Sequence, residues 1–152
     1  MVPRIVDIDA YMPVLRELLA QGQSVCLTVT GESMSPFLRH GRDQIRLEGV
    51  TAPPKRGDMV LFQRRGGQYI MHRILRRLPD GNYALIGDGQ QHVELPIEPP
   101  QIFAVVTQVC RKGKWIGSES FWWRFFAGPW LMLLPLRPVL RHMARWIPAS
   151  LK

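Results

Sequence analysis

Ser33 lies in Gly31-Glu32-Ser33-Met34-Ser35-Pro36, His72 in Tyr69-Ile70-Met71-His72-Arg73, and two acids, Asp88 of Ile86-Gly87-Asp88 and Glu94, follow downstream. A hydroxyl, an imidazole and a carboxylate are the parts of nucleophilic acyl transfer. A serine hydroxyl is a poor nucleophile at neutral pH, so it needs a base within hydrogen-bond reach and donors facing the developing oxyanion. His72 is the natural base, because an imidazole titrates near neutrality. Its second ring nitrogen needs an acceptor to fix the tautomer, and Asp88 and Glu94 are both candidates for that role. Ser33 follows the apolar run Val25-Cys26-Leu27-Thr28-Val29-Thr30, and Pro36 bars a regular helix or central strand directly after it. That puts the hydroxyl where a strand ends and the chain turns. Gly31 allows a close backbone approach there, and the amide of Ser33 or Met34 is a candidate oxyanion donor. Taken singly, each part has a plainer reading. Ser-Met-Ser-Pro is most often a strand-to-turn transition, and a histidine flanked by Met71 and Ile74 is most often a core or edge residue.

Order along the chain changes that reading. Gly31 to Pro36, then Arg56-Gly57-Asp58-Met59-Val60-Leu61-Phe62, then Tyr69-Ile70-Met71-His72-Arg73-Ile74-Leu75, then Gly87-Asp88, follow one another between about Val25 and Val109. In order and at similar intervals they resemble the successive boxes of the type I signal peptidase superfamily. Bacterial signal peptidases and the self-cleaving SOS-type repressors use a lysine where this chain has His72. The archaeal and endoplasmic-reticulum branch uses histidine with an aspartate as third member, and this chain resembles that branch. The resemblance implies a serine peptidase with Ser33 as nucleophile and His72 as general base. Gly87-Asp88 matches the branch's Gly-Asp box, but the branch's catalytic aspartate falls a few residues further on, where this chain has Glu94, so Asp88 and Glu94 both stay candidates. Asp58 fits an acid that caps a tight turn into a strand. The implied substrate is a leader or signal-like peptide laid as an extended strand, with small residues before the scissile bond. The alternative is a catalytically inactive peptide-binding or membrane-docking member of the same fold, to which Glu94 and Gly89-Gln90 point. A self-cleaving DNA-binding repressor is disfavoured, because about 24 residues precede the first strand, too few for a helix-turn-helix domain and linker.

The elements that must position these groups are legible in the periodicity. Between Asp7 and Gln21 the apolar residues Ile8, Tyr11, Met12, Val14, Leu15, Leu18 and Leu19 form a helical stripe. Asp7 or Asp9 is a candidate cap and Gly22 a stop. Strand-length apolar runs follow at Val25 to Thr30, Gln44 to Leu47, Met59 to Phe62, Gln68 to Leu75, Tyr83 to Ile86 and Ile102 to Val109, separated by Gly, Pro and Asn turn signals. The expected fold is mainly β: an antiparallel, partly closed assembly with an N-terminal amphipathic helix and a C-terminal hydrophobic, basic helical tail. The chain reads as a single peptidase-like domain over 1–152, with the helix in 1–24, the β catalytic core in 25–110 and the tail in 111–152.

Charge sets the tail apart. The 152 residues carry a formal net charge of +8 and a pI near 10.3, which calls for an anionic partner or surface. Residues 111–152 hold eight basic side chains against one acid, Glu119, beside the aromatic run Phe121-Trp122-Trp123-Arg124-Phe125-Phe126. The uncharged run between Arg124 and Arg137 is 12 residues, short of the roughly 20 a span needs, and Pro129 and Pro135 interrupt it. Tryptophan with arginine suits an anionic headgroup region. The leading expectation is an interfacial or re-entrant membrane anchor over 121–145, with a flap packed on the protein and a partner-protein or nucleic-acid surface as the other possibilities. The expected partners are therefore a precursor peptide or protein and an anionic membrane surface, without nucleic acid. No secretory signal or span opens the sequence, which favours membrane association at the cytoplasmic face and a specialised peptide processor. Cys26 and Cys110 match no metal spacing and are expected as buried free thiols. No cofactor is called for. His40 and His92 read as solvated loop residues, and Lys55 as part of a charged turn.

Overall fold

The computed structural model describes residues 8–144. Helix α1, Ile8–Ala20, buries Met12, Leu15 and Leu19, the inward stripe of the expected helix. It ends in a Schellman arrangement: Gly22, at φ 81°, donates to the Leu19 carbonyl and Gln23 to that of Leu18. Asp7, a candidate cap, lies outside the described residues.

Eight strands follow: β1 Val25–Thr28, β2 Gln44–Gly49, β3 Met59–Gln63, β4 Tyr69–Arg77, β5 Tyr83–Ile86, β6 Glu94–Ile97, β7 Ile102–Arg111 and β8 Lys114–Ile116. They form an antiparallel sheet in the order β1-β2-β7-β3-β4-β5-β6, with β8 also pairing with β7. Cores lie against both faces. Along β3, Met59 and Leu61 join a core with Met34, Phe37, Leu38, Phe126, Trp130 and the α1 side chains, while Val60 and Phe62 join a second with Ile74, Tyr83, Leu85, Ile97 and Ile102. That double burial is why Met-Val-Leu-Phe reads as an unbroken apolar run instead of alternating.

The sheet is open, and this corrects the expected partial closure. Its end strands, β1 and β6, do not pair among the described residues. β6 carries Pro96, which has no N–H to offer a further strand. β1 is bonded to β2 on one edge only. β4 pairs with β3 from Tyr69 to Arg73 but with β5 only from Arg73 onward, so the other edge of Tyr69–His72 is also unpaired. Between these two free edges lies a cleft of about 360 Å³.

Two strands were not legible in the sequence. β6, Glu-Leu-Pro-Ile, has neither alternation nor β-branched character before its last residue. β8 belongs to residues expected as tail: Lys112 (φ 52°) and Gly113 (φ 81°) make a two-residue hairpin turn that returns the chain onto β7. The cysteines are free, but Cys26 is exposed and Cys110 only partly buried, because Cys26 alternates with the buried Val25 and points away from the core. Beyond β8 come α2 Phe121–Ala127, α3 Pro129–Met132, a 3-10 turn and α4 Arg137–Ala144. Phe126, Trp130, Leu131 and Arg137 are buried, so part of the aromatic and basic tail is core; Phe121, Trp122, Met132, Leu136 and Val139 stay exposed. No helix among the described residues is long and apolar enough to cross a membrane.

Candidate active site

Ser33 is carried by the loop that leaves β1. Val29 is tied in both directions, donating to the Asp43 carbonyl and accepting from Gly41. Gly31, at φ 82°, then turns the chain, and its amide donates to His40 Nδ1 at 2.7 Å. His40, expected as a solvated loop histidine, is exposed but pins this turn. Asp43, whose side chain is buried, fastens the far side of the loop by accepting from the Arg39 amide and the Arg42 guanidinium. Burial alone would raise its pKa; the bonds from Arg42 and from the Arg39 and Lys112 amides outweigh that and lower it. After Ser33 the chain drives Met34, Phe37 and Leu38 into the first core. A partly buried Ser33 is left at the rim of the cleft.

The Gly87-Asp88 turn lies directly against this loop. Gly89 donates its amide to the Ser33 carbonyl at 2.8 Å. A Cβ on Gly87 would stand 2.4 Å from that same carbonyl oxygen, so only glycine lets the turn approach. Asp88 is fully buried and paired through both oxygens with Arg73, at 2.8 and 2.7 Å, while Arg73 also donates to the Gly57 carbonyl. This bridge ties β4 to the turn that touches Ser33. Asp58 accepts from the Lys55 amide at 3.0 Å, the turn-capping role its box suggested.

His72 precedes Arg73 on β4 and leaves the strand on the opposite face from it. Arg73 sits over the Phe37 ring in the first core, whereas His72 packs beside Phe62 of the second. Its side chain is 1% exposed, and Nδ1 has no hydrogen-bond partner. Glu94 is the acid that faces it: Oε1 stands 3.8 Å from Nδ1, just beyond hydrogen-bond range. Arg64, at the end of the β3–β4 hairpin, grips both Glu94 oxygens. Burial is the main reason the His72 pKa falls to about 4; Glu94 opposes the shift and Arg64 adds to it. At neutral pH the ring is therefore uncharged, and its proton affinity is below that of an ordinary imidazole.

Of the expected residues, the structure gathers Ser33 and the Gly87–Gly89 turn into direct contact, and sets His72 beside Glu94. The cleft has Thr28, Gly31, Glu32, Ser33 and Met34 on one side and Tyr69, Ile70 and Met71, the residues leading to His72, on the other, while the His72 and Glu94 side chains are not among its lining. Ser33 and His72 are not hydrogen-bonded to each other. Among the described residues no group of three or more His, Cys, Asp and Glu side chains is placed to hold a metal ion. Three residues of this neighbourhood were missed in the sequence. Arg64 lies 30 positions from Glu94, and Trp130 and Arg137 bond to the Gly87–Gln90 turn across 40 to 50 positions; no spacing rule connects such pairs.

No curated protein matches the chain at a significant level. The family model described as Peptidase S24-like matches residues 3–110, which contain the Ser33 loop, the β4 histidine and the Gly-Asp turn. The chain therefore belongs to the Peptidase S24-like family of serine peptidases, whose members are usually catalytic.

Proposed function

We propose that the chain is a serine endopeptidase that cuts a leader or signal-like peptide from a precursor, with Ser33 as nucleophile, His72 as general base and Glu94 as the acid that orients the ring. The observation that carries this reading is the cleft between two unpaired strand edges, with Ser33 on one wall and the strand leading to His72 on the other. A peptide laid there in extended form would find backbone partners on both sides. Ser33 Oγ would add to the scissile carbonyl as its proton passes to His72 Nε2. The C–N bond then breaks with that proton delivered to the departing amine, and water releases the acyl group by the reverse sequence. Glu94 suits the third role better than Asp88, because Asp88 is committed to Arg73 and Glu94 faces Nδ1. A shift of about 1 Å would convert the Glu94 approach into a hydrogen bond and raise the proton affinity of His72.

The exposed Phe121, Trp122, Met132, Leu136 and Val139, with Arg124 among them, also support docking of residues 121–145 on an anionic lipid surface. A non-catalytic peptide binder is the second reading, favoured by the 3.8 Å gap at Nδ1 and by Glu94 being held by Arg64. Incubation with a mixed peptide library, read by mass spectrometry, separates the two. Cleavage after small residues that disappears in Ser33→Ala and His72→Ala is expected. Peptide retention without cleavage would favour the binder.

A further inference from the structure

The match to the family ends at residue 110, yet the segment beyond it is built into the site. Trp130 Nε1 donates to the Asp88 carbonyl at 2.8 Å. Arg137 is fully buried, and its Nη1 donates to both the Gly87 and Gln90 carbonyls at 3.0 Å, with the guanidinium carbon 5.1 Å from the centre of the Trp130 ring. Three carbonyls of the turn, those of Gly87, Asp88 and Gln90, are thus bound by two side chains of the C-terminal helices. The same segment reaches the Ser33 loop directly: Phe126 stacks on Phe37 with ring centroids 4.9 Å apart. The loop and the turn are the two pieces joined by the Gly89–Ser33 hydrogen bond.

A buried arginine is an expensive device for mere cover. Removing a guanidinium from water costs several kcal/mol unless its donors are satisfied, and an apolar side chain would fill the space at less cost. What arginine adds is a planar fork of donors that fixes several acceptors relative to one another. Here the acceptors are the backbone of the turn that contacts Ser33. A glycine-flanked turn, Gly87-Asp88-Gly89, has little intrinsic stiffness, so an external clamp has a mechanical purpose.

We propose that Trp130 and Arg137 are positioning residues: a C-terminal clasp that locks the Gly87–Gln90 turn and, through Gly89, holds Ser33 in place for its reaction. The proposal deepens the peptidase reading and rests on it for its catalytic consequence. Neither side chain touches the reacting atoms; both act through the turn.

The test uses the full chain with Trp130→Phe, which keeps a ring but removes the N–H, and with Arg137→Lys and Arg137→Gln. Amide hydrogen exchange at Gly89 is compared with exchange at the sheet amides of Ile45 and Val109. Loss of one clasp bond should speed Gly89 exchange about tenfold, the equivalent of one hydrogen bond, with the sheet amides unchanged. Arg137→Lys, which keeps the charge and some of the donors, should fall between wild type and Arg137→Gln. In parallel, labelling by a fluorophosphonate probe should lose maximal rate while keeping the concentration at half-maximal rate. Gly89 exchange that stays at the wild-type value, or that rises only in step with the sheet amides, overturns the clasp. Wild-type protein that exchanges as expected but never labels leaves the clasp standing and rejects the peptidase reading instead. Should Arg137→Gln fail to fold, Trp130→Phe carries the same comparison.

Discussion

Glu94 Oε1 lies 3.8 Å from His72 Nδ1, and that same oxygen accepts from Arg64 Nη2. That carboxylate oxygen is thus bonded to a guanidinium and stands just beyond hydrogen-bond range of a buried imidazole. Asp88, the other candidate acid, has both oxygens bound to Arg73. The two acids therefore predict opposite phenotypes.

Glu94→Gln keeps the shape and removes the charge. It should lower kcat roughly tenfold to a hundredfold, less than the ~10⁴ lost when a tightly bonded triad acid is neutralised, with little change in melting temperature. Asp88→Asn breaks a fully buried ion pair and should cost about 3–5 kcal/mol of stability. Thermal melts and peptide turnover on both variants check this; an Asp88→Asn protein as stable as wild type, or a fully active Glu94→Gln, contradicts the assignment.

His72 supplies a pH signature. Its folded pKa of about 4 lies below the ordinary 6.5, so the unfolded chain binds a proton that the folded chain refuses. Stability from this group is fully present above pH 6.5 and is lost as pH falls towards 4, on the order of 3 kcal/mol in all. His72→Gln should flatten that part of the curve relative to wild type in urea titrations between pH 7 and 4. For turnover, the acid limb of kcat/KM in the free enzyme should sit near 4 rather than 6.5. An acid limb that appears only at alkaline pH would indicate a lysine base and sink the histidine assignment.

Gly87 tests how the Ser33 loop is placed. A Cβ there would meet the Ser33 carbonyl at 2.4 Å, and backbone is what must yield. Gly87→Ala should destabilise by about 1–3 kcal/mol, as overpacked sites do, and should slow Ser33 chemistry. At Gly66 the nearest heavy atom to an added Cβ is 3.8 Å away, so Gly66→Ala should be nearly silent in the same melts and assays. Equal effects at the two glycines would mean that the turn's contact with Ser33 is not the cause.

Phe121 and Trp122 are 70% and 49% exposed on α2. Cosedimentation with anionic phospholipid vesicles should show binding that weakens in high salt and falls several-fold in Phe121→Ser/Trp122→Ser. Binding indifferent to both changes would remove residues 121–145 as a lipid-docking surface.

How much of this was legible in the sequence depends on distance along the chain. Ser33 before Pro36, and His72 within an apolar run, were readable because each rests on its immediate neighbours, and most strands of the sheet follow local alternation. β6 was hidden because Pro96 contradicts strand propensity and is tolerated only at an edge. Which of Asp88 and Glu94 faces His72 depends on Arg73, the residue after it. Strand alternation sends those two side chains to opposite faces, and only coordinates show which acid waits on which side. Partial closure of the sheet was expected from strand count and turn spacing, but closure depends on whether the end strands meet, and here β1 faces the cleft instead. The tail's composition pointed outward to lipid, whereas Trp130 and Arg137 turn inward, because their acceptors are backbone carbonyls that no side-chain pattern reveals.

The most direct measurement is labelling of the intact protein by a fluorophosphonate probe at neutral pH, with the modified residue located by peptide mapping. The account predicts a single adduct at Ser33, none in Ser33→Ala, and a rate lowered at least about a hundredfold in a folded His72→Ala, the scale of a lost general base. An unlabelled wild-type protein, an adduct elsewhere, or a His72→Ala variant that labels as fast as wild type would contradict it.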